Sequence, residues 1–303
     1  MKEIPFLCWI RSQSVFDPFA VPVGPGDDMA LVRPVTDDLL VTTDQLLDGV
    51  HIVLADHGPQ AAGRKAMARG LSDVAAMAAE PVAAVATLAL PPGFARADAE
   101  AVYLGLRAAA EPFDCPLVGG DVGSWGGPLA ITVTVFARPG LREPILRSGA
   151  KVGDAVCVTG ALGGAWRTTR HLTFTPRVAE ALALADAFDV HAMIDLSDGL
   201  SVDLAHLAEA SGLAAELLAD ALPIHADAKG LEDPLAAALG DGEDYELLFT
   251  LSPDQADRLL AIQPLVVPVT RIGTIVEAAA GLTLIGADGR RQPLEPTGWE
   301  HQT

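Results

Sequence analysis

The feature that most constrains the fold is an alternation of short apolar runs with helical stripes, carried twice along the chain and interrupted once between. In the first series Met29–Arg33, Leu39–Val41, Val82–Leu90, Leu117-Val118 and Leu129–Ala137 read as strands. The last alternates, with Leu129, Ile131, Val133 and Val135 on one face and Thr132 and Thr134 on the other. Gln60–Ala79 reads as a helix, because Met67, Leu71, Val74 and Ala78 share a face, with Pro81 as its stop. Asp98–Glu111 reads as a second, striped by Val102, Leu106 and Ala109. Pro139-Gly140 and Pro144 break the pattern over Arg138–Gly149. It resumes with strands at Ala155–Val158, Ala192–Leu196, Leu213–Leu218, Tyr245–Leu251, Val266–Ile272 and Leu282–Ile285. Helices at Arg177–Ala187, Leu200–Ala210 and Pro253–Ile262 lie among them. The expected class is α/β in the α+β sense: two domains, 1–138 and 139–303, each a mixed β-sheet with helices packed on it. A chain of 303 residues, 50% of them hydrophobic, has the length and apolar content for two such cores.

The formal charge of −20 argues against nucleic acid and anionic membranes as partners. It also sets a condition. An acidic chain that handles phosphates needs cations to bridge like charges, and the sequence offers no basic cluster for that purpose. Cys8, Cys115 and Cys157 stand apart with no CxxC spacing, which suits reduced thiols in a cytoplasmic protein. The apolar run Ile4–Ile10 is short and broken by Pro5, and nothing approaches the roughly 18 apolar residues of a membrane span. No signal peptide and no membrane segment are expected.

Within that frame, Asp38–Ile52 (DLLVTTDQLLDGVHI) is the stretch around which a site can form. Its strand is expected to end at Thr42, Thr43 and Asp44, with Thr42 and Asp44 turned the same way. Those are the hard oxygen donors that magnesium takes. His51 follows closely enough for a loop to return it over the same place. A strand running into a turn explains the same residues by turn preference alone. Other carboxylates recur at element ends: Asp27 and Asp28 in a glycine-flanked turn, Asp121 after Gly119-Gly120, Asp195 and Asp198 on either side of Ser197. Asp73 lies inside the first helix, off its apolar stripe. Each has an ordinary reading as a turn, cap or solvated residue; their recurrence points to a shared role. The chain has no GxxxxGK[ST] loop, and Gly160–Ala165 lacks the lysine that would make one. Protein-kinase signatures, HExxH and His/Cys clusters are also missing. Phosphate binding would then fall to magnesium held by carboxylates.

The segments GPGDDMALV, VTTDQLLDGVHI, GRKAMARGLSDVAAMAAEP, LVGGD, RSGAKVGDAVCVTG, AMIDLSDGLSVDLAHLAEASG and GEDYELLFT follow one another from about residue 24 to residue 300. With them the chain resembles the thiamine-monophosphate kinase family, in the superfamily of aminoimidazole ribonucleotide synthetase and selenophosphate synthetase. The resemblance implies a PurM-like fold of two α/β domains and a homodimer joined through the N-terminal one. It implies ATP-dependent, magnesium-dependent phosphorylation of thiamine monophosphate to thiamine diphosphate by direct in-line transfer. Asp28 or the adjacent Asp27, with Thr42, Thr43, Asp44, Asp73, Asp121, Asp195 and Asp198, would hold several magnesium ions. Tyr103, Gly120, Asp121, Arg147 and Ser197 would touch the nucleotide, and His51, Glu243 and Trp299 the thiamine end. The N-terminal domain would bind metal and ATP and dimerise, and the C-terminal domain would complete the nucleotide and substrate site. No catalytic base is assigned, since a phosphate acceptor oxygen is already ionised at neutral pH.

The chain also departs from the family pattern. Asp121 is followed by Val122-Gly123-Ser124-Trp125 rather than by Thr and a basic residue, and a family helix is missing between Gly164 and His171. Gly70 stands where the family has Asn, and Gly240-Asp241 precedes GEDYEL. None of these removes a metal ligand. Two other readings stay open: a different ATP-dependent reaction of the superfamily, and a diverged homologue that holds nucleotide without turnover. If Asp44 belongs to a cluster of repelling carboxylates, Asp44→Asn is expected to raise the melting temperature of the metal-free protein.

Overall fold

The computed structural model describes Trp9, residues 12–21 and residues 38–299. The expected strand Met29–Arg33 and the candidate ligands Asp27 and Asp28 lie outside those residues. The chain divides into two compact units, Met1–Val74 with Ala79–Gly140, and Ala75–Ala78 with Leu141–Thr303.

The first unit contains β1 (Leu40–Leu47), α1 (Leu54–Ala76), β2 (Ala79–Leu90), α2 (Arg96–Ala110), β3 (Leu117–Ser124) and β4 (Ala130–Pro139). Its sheet runs β1-β4-β2-β3, antiparallel except for the β2–β3 pair. On β4 Ile131, Val133 and Val135 are fully buried while Thr132 and Thr134 stay partly exposed, the alternation read from the sequence. Helix α1 lies against that buried face. A Cβ on Gly70 would come within 3.0 Å of the Val135 side chain, so glycine permits the close approach. The crossing of α1 and α2 is closer still: a Cβ on Gly63 would overlap the Val102 carbonyl, and one on Gly105 the Gln60 carbonyl.

Three expectations need correction here. Strand β1 does not end at Thr42–Asp44; it stays paired with β4 from Leu40↔Ala137 to Leu47↔Ala130, so those residues lie within a ladder. The helix expected over Gln60–Ala79 begins at Leu54, bends at Gly58 (φ 79, ψ 166) and restarts at Pro59, whose fixed φ suits a first helical turn. It ends by Ala76, ahead of Ala78 in a left-handed conformation (φ 50). Pro81 therefore stops nothing. It sits inside β2 where the pairing with β4 slips between Pro81 and Ala83, a place that tolerates a missing N–H.

The second unit carries β5 (Ala155–Thr159), α3 (Arg170–Thr173), α4 (Val178–Ala187), β6 (Val190–Asp195), α5 (Leu200–Ala210) and β7 (Ala214–Leu218). It continues with α6 (Pro234–Gly240), β8 (Leu247–Leu251), α7 (Pro253–Ile262), β9 (Val269–Val276), β10 (Thr283–Ile285) and β11 (Arg291–Pro293). These strands form one mixed sheet, β11-β10-β7-β9-β5-β8-β6, in which β10 and β7 are parallel. Every residue of β5 and β8 is buried, as expected of central strands covered on both faces. Val156, Val158, Leu204, Leu207, Leu248 and Ile272 anchor the core. The strand expected from Tyr245 starts only at Leu247, because Glu243 (φ 60) and Tyr245 (φ 51) are left-handed and cannot join a ladder. Among the described residues no helix is long and apolar enough to cross a membrane.

Candidate active site

In the first unit hydroxyl and carboxylate groups meet where β1 faces α1. Thr42 Oγ1 donates to Asp73 Oδ2 at 2.5 Å, and Arg69 Nε lies 2.9 Å from Asp44 Oδ2. Asp44 Oδ1 also accepts from Gln45 N at 2.7 Å. Period-two alternation puts Thr43 on the opposite face, where its hydroxyl accepts from Thr134 Oγ1 at 3.0 Å. Asp121 is exposed and lies in register with Thr87, in the row that continues through Thr132 to Gln45, again away from α1. Gly120 stands in the Asp44 row, by way of Val133 and Ala86. Its φ is 155, and a Cβ there would overlap the Ala86 carbonyl. The structure thus groups Thr42, Asp44 and Asp73, and sets Thr43 and Asp121 on the other face of the sheet.

His51 is buried behind the same strand. Its Nδ1 accepts from Leu47 N at 3.0 Å, and its carbonyl accepts from the buried Lys65 ammonium at 2.6 Å. With Nδ1 used as an acceptor, the ring proton belongs on Nε2. Tyr103 is buried on α2, with Trp9 edge-on at 5.4 Å and Ser14 Oγ 3.5 Å from its hydroxyl.

In the second unit β6 delivers Asp195, 4% exposed, to a turn over Leu196–Gly199 that opens α5. Carbonyls of that turn gather two distant segments: Ser197 O accepts from Glu243 N at 2.8 Å and Asp198 O from Trp299 N at 2.9 Å. Asp203 reaches back from α5 to Asp198 N (3.2 Å) and Gly199 N (3.1 Å). Its carboxyl is pushed up to about 8 by burial and by the charges of Asp195 and Asp198. Trp299 remains 49% exposed, and Arg147 is exposed with its carbonyl accepting from Ser211 Oγ at 3.2 Å.

The segment Gly242–Glu246 holds two non-glycine residues, Glu243 and Tyr245, at positive φ, each costing on the order of 1 kcal/mol or more. Its own side chains sustain that conformation. Asp244 accepts from Gly163 N and from Arg170 Nη2, both at 2.9 Å, yet burial still pushes its carboxyl up to about 7. Tyr245 stacks on Phe174 at 4.0 Å. Glu246 takes a forked pair from Arg177, at 2.8 and 2.6 Å, and a hydroxyl from Thr159 at 2.7 Å. Arg170 further binds Asp227 at 3.0 Å. Sequence reasoning singled out Glu243 but missed Asp203, Asp244, Glu246, Arg170 and Arg177. A signal existed: three acids packed into Glu243–Glu246 beside a buried strand require cationic partners.

Among the described residues no group of three or more His, Cys, Asp or Glu side chains is arranged to hold a metal by itself. The carboxylates present could serve an ion that takes one or two protein oxygens and completes its shell with phosphate and water, as magnesium does.

Comparison with known proteins decides the family. AIR synthase related protein, N-terminal domain, matches residues 26–138, and AIR synthase related protein, C-terminal domain, matches residues 151–284. The thiamine-monophosphate kinase of Rhodopirellula baltica is 40% identical over 312 residues, spanning 99% of this chain and 97% of the relative. The chain belongs to the thiamine-monophosphate kinase family. Its fold is that of the family as well: the thiamine-monophosphate kinase from Stenotrophomonas maltophilia K279a superposes with a TM-score of 0.78 at 36% identity, covering 89% of this chain and 92% of that one. A second solved structure, described as AaThiL complexed with AMPPCP and TMP, gives 0.76 at 31% identity and covers 91% of each chain. In this thiamine-monophosphate kinase family member the chain between Gly164 and His171 forms a turn that runs into the single-turn α3. Arg170 closes that turn on Asp227 and Asp244.

Proposed function

We propose that the chain transfers the γ-phosphoryl group of ATP directly to the phosphate of thiamine monophosphate, giving thiamine diphosphate and ADP, and that it requires several magnesium ions. The observation that carries this reading is the full-length relation to the Rhodopirellula kinase, 40% identical over 99% of this chain. The neighbour complexed with AMPPCP, an ATP analogue, and TMP supports the same pair of substrates.

The residues present fit a hard divalent cation. Their donors are oxygens; the charges of Asp195 and Asp198 add to the burial that pushes Asp203 up to about 8, and Asp44 draws a guanidinium to 2.9 Å. The proposed ligands in the first unit are Thr42, Asp44 and Asp73 on the face toward α1, Thr43 and Asp121 on the opposite face, and Asp27 or Asp28; in the second unit they are Asp195 and Asp198. Bound magnesium would neutralise the donor and acceptor phosphates and hold them in line.

The remaining roles fall to the chain itself. Ser197 commits its carbonyl to Glu243 N, which leaves its hydroxyl to the nucleotide, and the exposed Arg147 offers a fork to phosphate oxygens. Gly120 would meet the nucleotide through its backbone; its lack of a side chain is required by the Ala86 carbonyl, which a Cβ would overlap. Tyr103 would touch the nucleotide from α2, where its hydroxyl lies 3.5 Å from Ser14 Oγ. Glu243, fixed by its backbone, sets a negative charge against the thiazolium; Trp299 gives it an indole face, and His51 donates from Nε2. No group has to remove a proton, because the acceptor oxygen is ionised at neutral pH. Steady-state ADP release is expected to require both thiamine monophosphate and magnesium. Release without thiamine monophosphate, or nucleotide binding with no release, would overturn the assignment.

The same reading includes a homodimer. The sheet face of the first unit turned away from α1 exposes Leu39 and Val41 (51% and 63%) and leaves Phe136 and Val85 partly uncovered. A second copy is the proposed cover.

A further inference from the structure

We propose that Trp166 forms a second aromatic wall of the thiamine subsite, one imidazole ring removed from Glu243, and so helps set specificity for an aromatic cation. This rests on the reaction proposed above. The shortened segment that carries Trp166 is fastened to the Gly240–Asp244 stretch at several points. Gly163 N donates to Asp244, Gly164 N donates to Asp241 Oδ2 at 3.1 Å, and Arg167 Nε lies 3.8 Å from Asp241 Oδ2. The Trp166 ring packs 4.5 Å from the ring of His171, which is 2% exposed. His171 Nδ1 in turn lies 3.8 Å from Glu243 Oε2. One imidazole therefore separates the indole from the carboxylate proposed to meet the thiazolium.

The indole is 42% exposed although it is large and mostly apolar, and it rests on a buried ring instead of trailing into solvent. Trp299 N is tied to Asp198 O, the carbonyl next to the Ser197 O that holds Glu243 N. Two half-exposed indoles are thus linked to Glu243, Trp166 through the His171 ring and Trp299 through the backbone of the Leu196–Gly199 turn. Of the nearby cations, Arg167 is drawn to Asp241 and Arg170 is engaged by Asp227 and Asp244. Ring faces combined with net negative charge favour a flat cation over an anion or a neutral ring. Thiamine carries such a cation in its thiazolium.

The test uses Trp166→Leu, which keeps apolar cover over His171, and Trp166→Phe, which keeps a weaker ring face, each in the full chain. Wild type must first show ADP release that depends on thiamine monophosphate; if it does not, the reaction assignment fails and this proposal falls with it. Given turnover, Trp166→Leu is expected to raise KM for thiamine monophosphate by about 5- to 30-fold, with Trp166→Phe between it and wild type and KM for ATP within about 2-fold. Binding of thiamine monophosphate by calorimetry should weaken in the same order. A Trp166→Leu enzyme with unchanged KM for thiamine monophosphate overturns the proposal and leaves the reaction standing. So does an equal rise for both substrates, which would mark Trp166 as packing alone. If the Leu variant does not fold, Trp166→Phe decides: a selective rise for thiamine monophosphate supports the proposal, and wild-type values for both substrates overturn it.

Discussion

Replacing Asp44 by Asn separates its two possible roles. In the first unit Asp44 pairs with Arg69 at 2.9 Å, and the side chains are 23% and 14% exposed. An exposed pair contributes about 0–1 kcal/mol, whereas removing one partner of a fully buried pair costs about 3–5 kcal/mol. This pair lies between those limits, and Arg69 Nη1 keeps the Gln45 carbonyl at 3.1 Å in the variant. The metal-free protein should therefore lose about 1–2 kcal/mol, a fall of about 2 to 8 °C in melting temperature at about 2–4 °C per kcal/mol. That reverses the sign expected from relief of carboxylate repulsion alone, since a guanidinium lies 2.9 Å from Asp44 Oδ2. The ligand role appears in a second measurement. Magnesium with AMPPCP at about 100 times its Kd should stabilise wild type by about 2.7 kcal/mol. Asp44→Asn should lose most of that stabilisation and about 100-fold or more in turnover, as expected for a metal ligand whose charge is removed. Thermal melting of both proteins with and without magnesium and AMPPCP provides the assay. A variant that melts lower but keeps the full ligand-dependent shift would show Asp44 to be only a partner for Arg69.

Sedimentation at micromolar concentration should give a dimer, and Val41→Arg on the exposed strand face should shift it toward monomer; a monomeric wild type would refute the proposed interface. Asp244 titrates near 7 when folded and near 3.8 when unfolded, so the folded state holds the extra proton between those values. Its contribution to stability should fall by at most about 1.4 kcal/mol per pH unit as pH rises from 4 to 7, then level off. Asp244→Asn should flatten the melting temperature over that window, and an unchanged slope would contradict the burial argument. Burial pushes the Cys115 and Cys157 thiols up to about 12, so at pH 8 about one in ten thousand of each is thiolate. A thiol reagent should label no more than one of the three cysteines quickly in the native chain; rapid labelling of two or three would count against it.

Elements with a strong period were legible in the sequence. The alternation over Leu129–Ala137 gave β4 and its buried face, and Leu200–Ala210 and Pro253–Ile262 form helices with the expected ends. Boundaries set by pairing were not. Leu46 and Leu47 extend β1 because β4 offers a full register, and Pro81 survives inside β2 because the ladder slips there; both depend on a partner strand remote in sequence. The carboxylates were legible as a recurring class, but their partners were not. Nothing local to Asp44 points to Arg69 on the next helix, and nothing local to Asp244 points to Arg170. Side-chain direction was legible on β1: strand alternation turned Thr42 and Asp44 the same way, and the structure has both toward α1 with Thr43 opposite.

Those partners answer the question posed by a chain of charge −20 that handles phosphates. Several of its guanidiniums are committed to its own acids: Arg69 to Asp44, Arg138 to Glu80, Arg170 to Asp227 and Asp244, Arg177 to Glu246. They tie neighbouring elements together and keep Gly242–Glu246 in its left-handed conformation, so withdrawing Arg170 and Arg177 to bind phosphate would leave the buried Asp244 and Glu246 uncompensated. At an effective dielectric of about 20, two like charges 4 Å apart repel by about 4 kcal/mol, and a nucleotide polyphosphate would meet several such charges at once. Mobile divalent cations resolve the conflict without dismantling the fold, because each one neutralises a carboxylate and a phosphate together. The acidity of the chain and its proposed need for magnesium are in that sense one property, with the arginines reserved for architecture and the chemistry left to ions that arrive with the nucleotide.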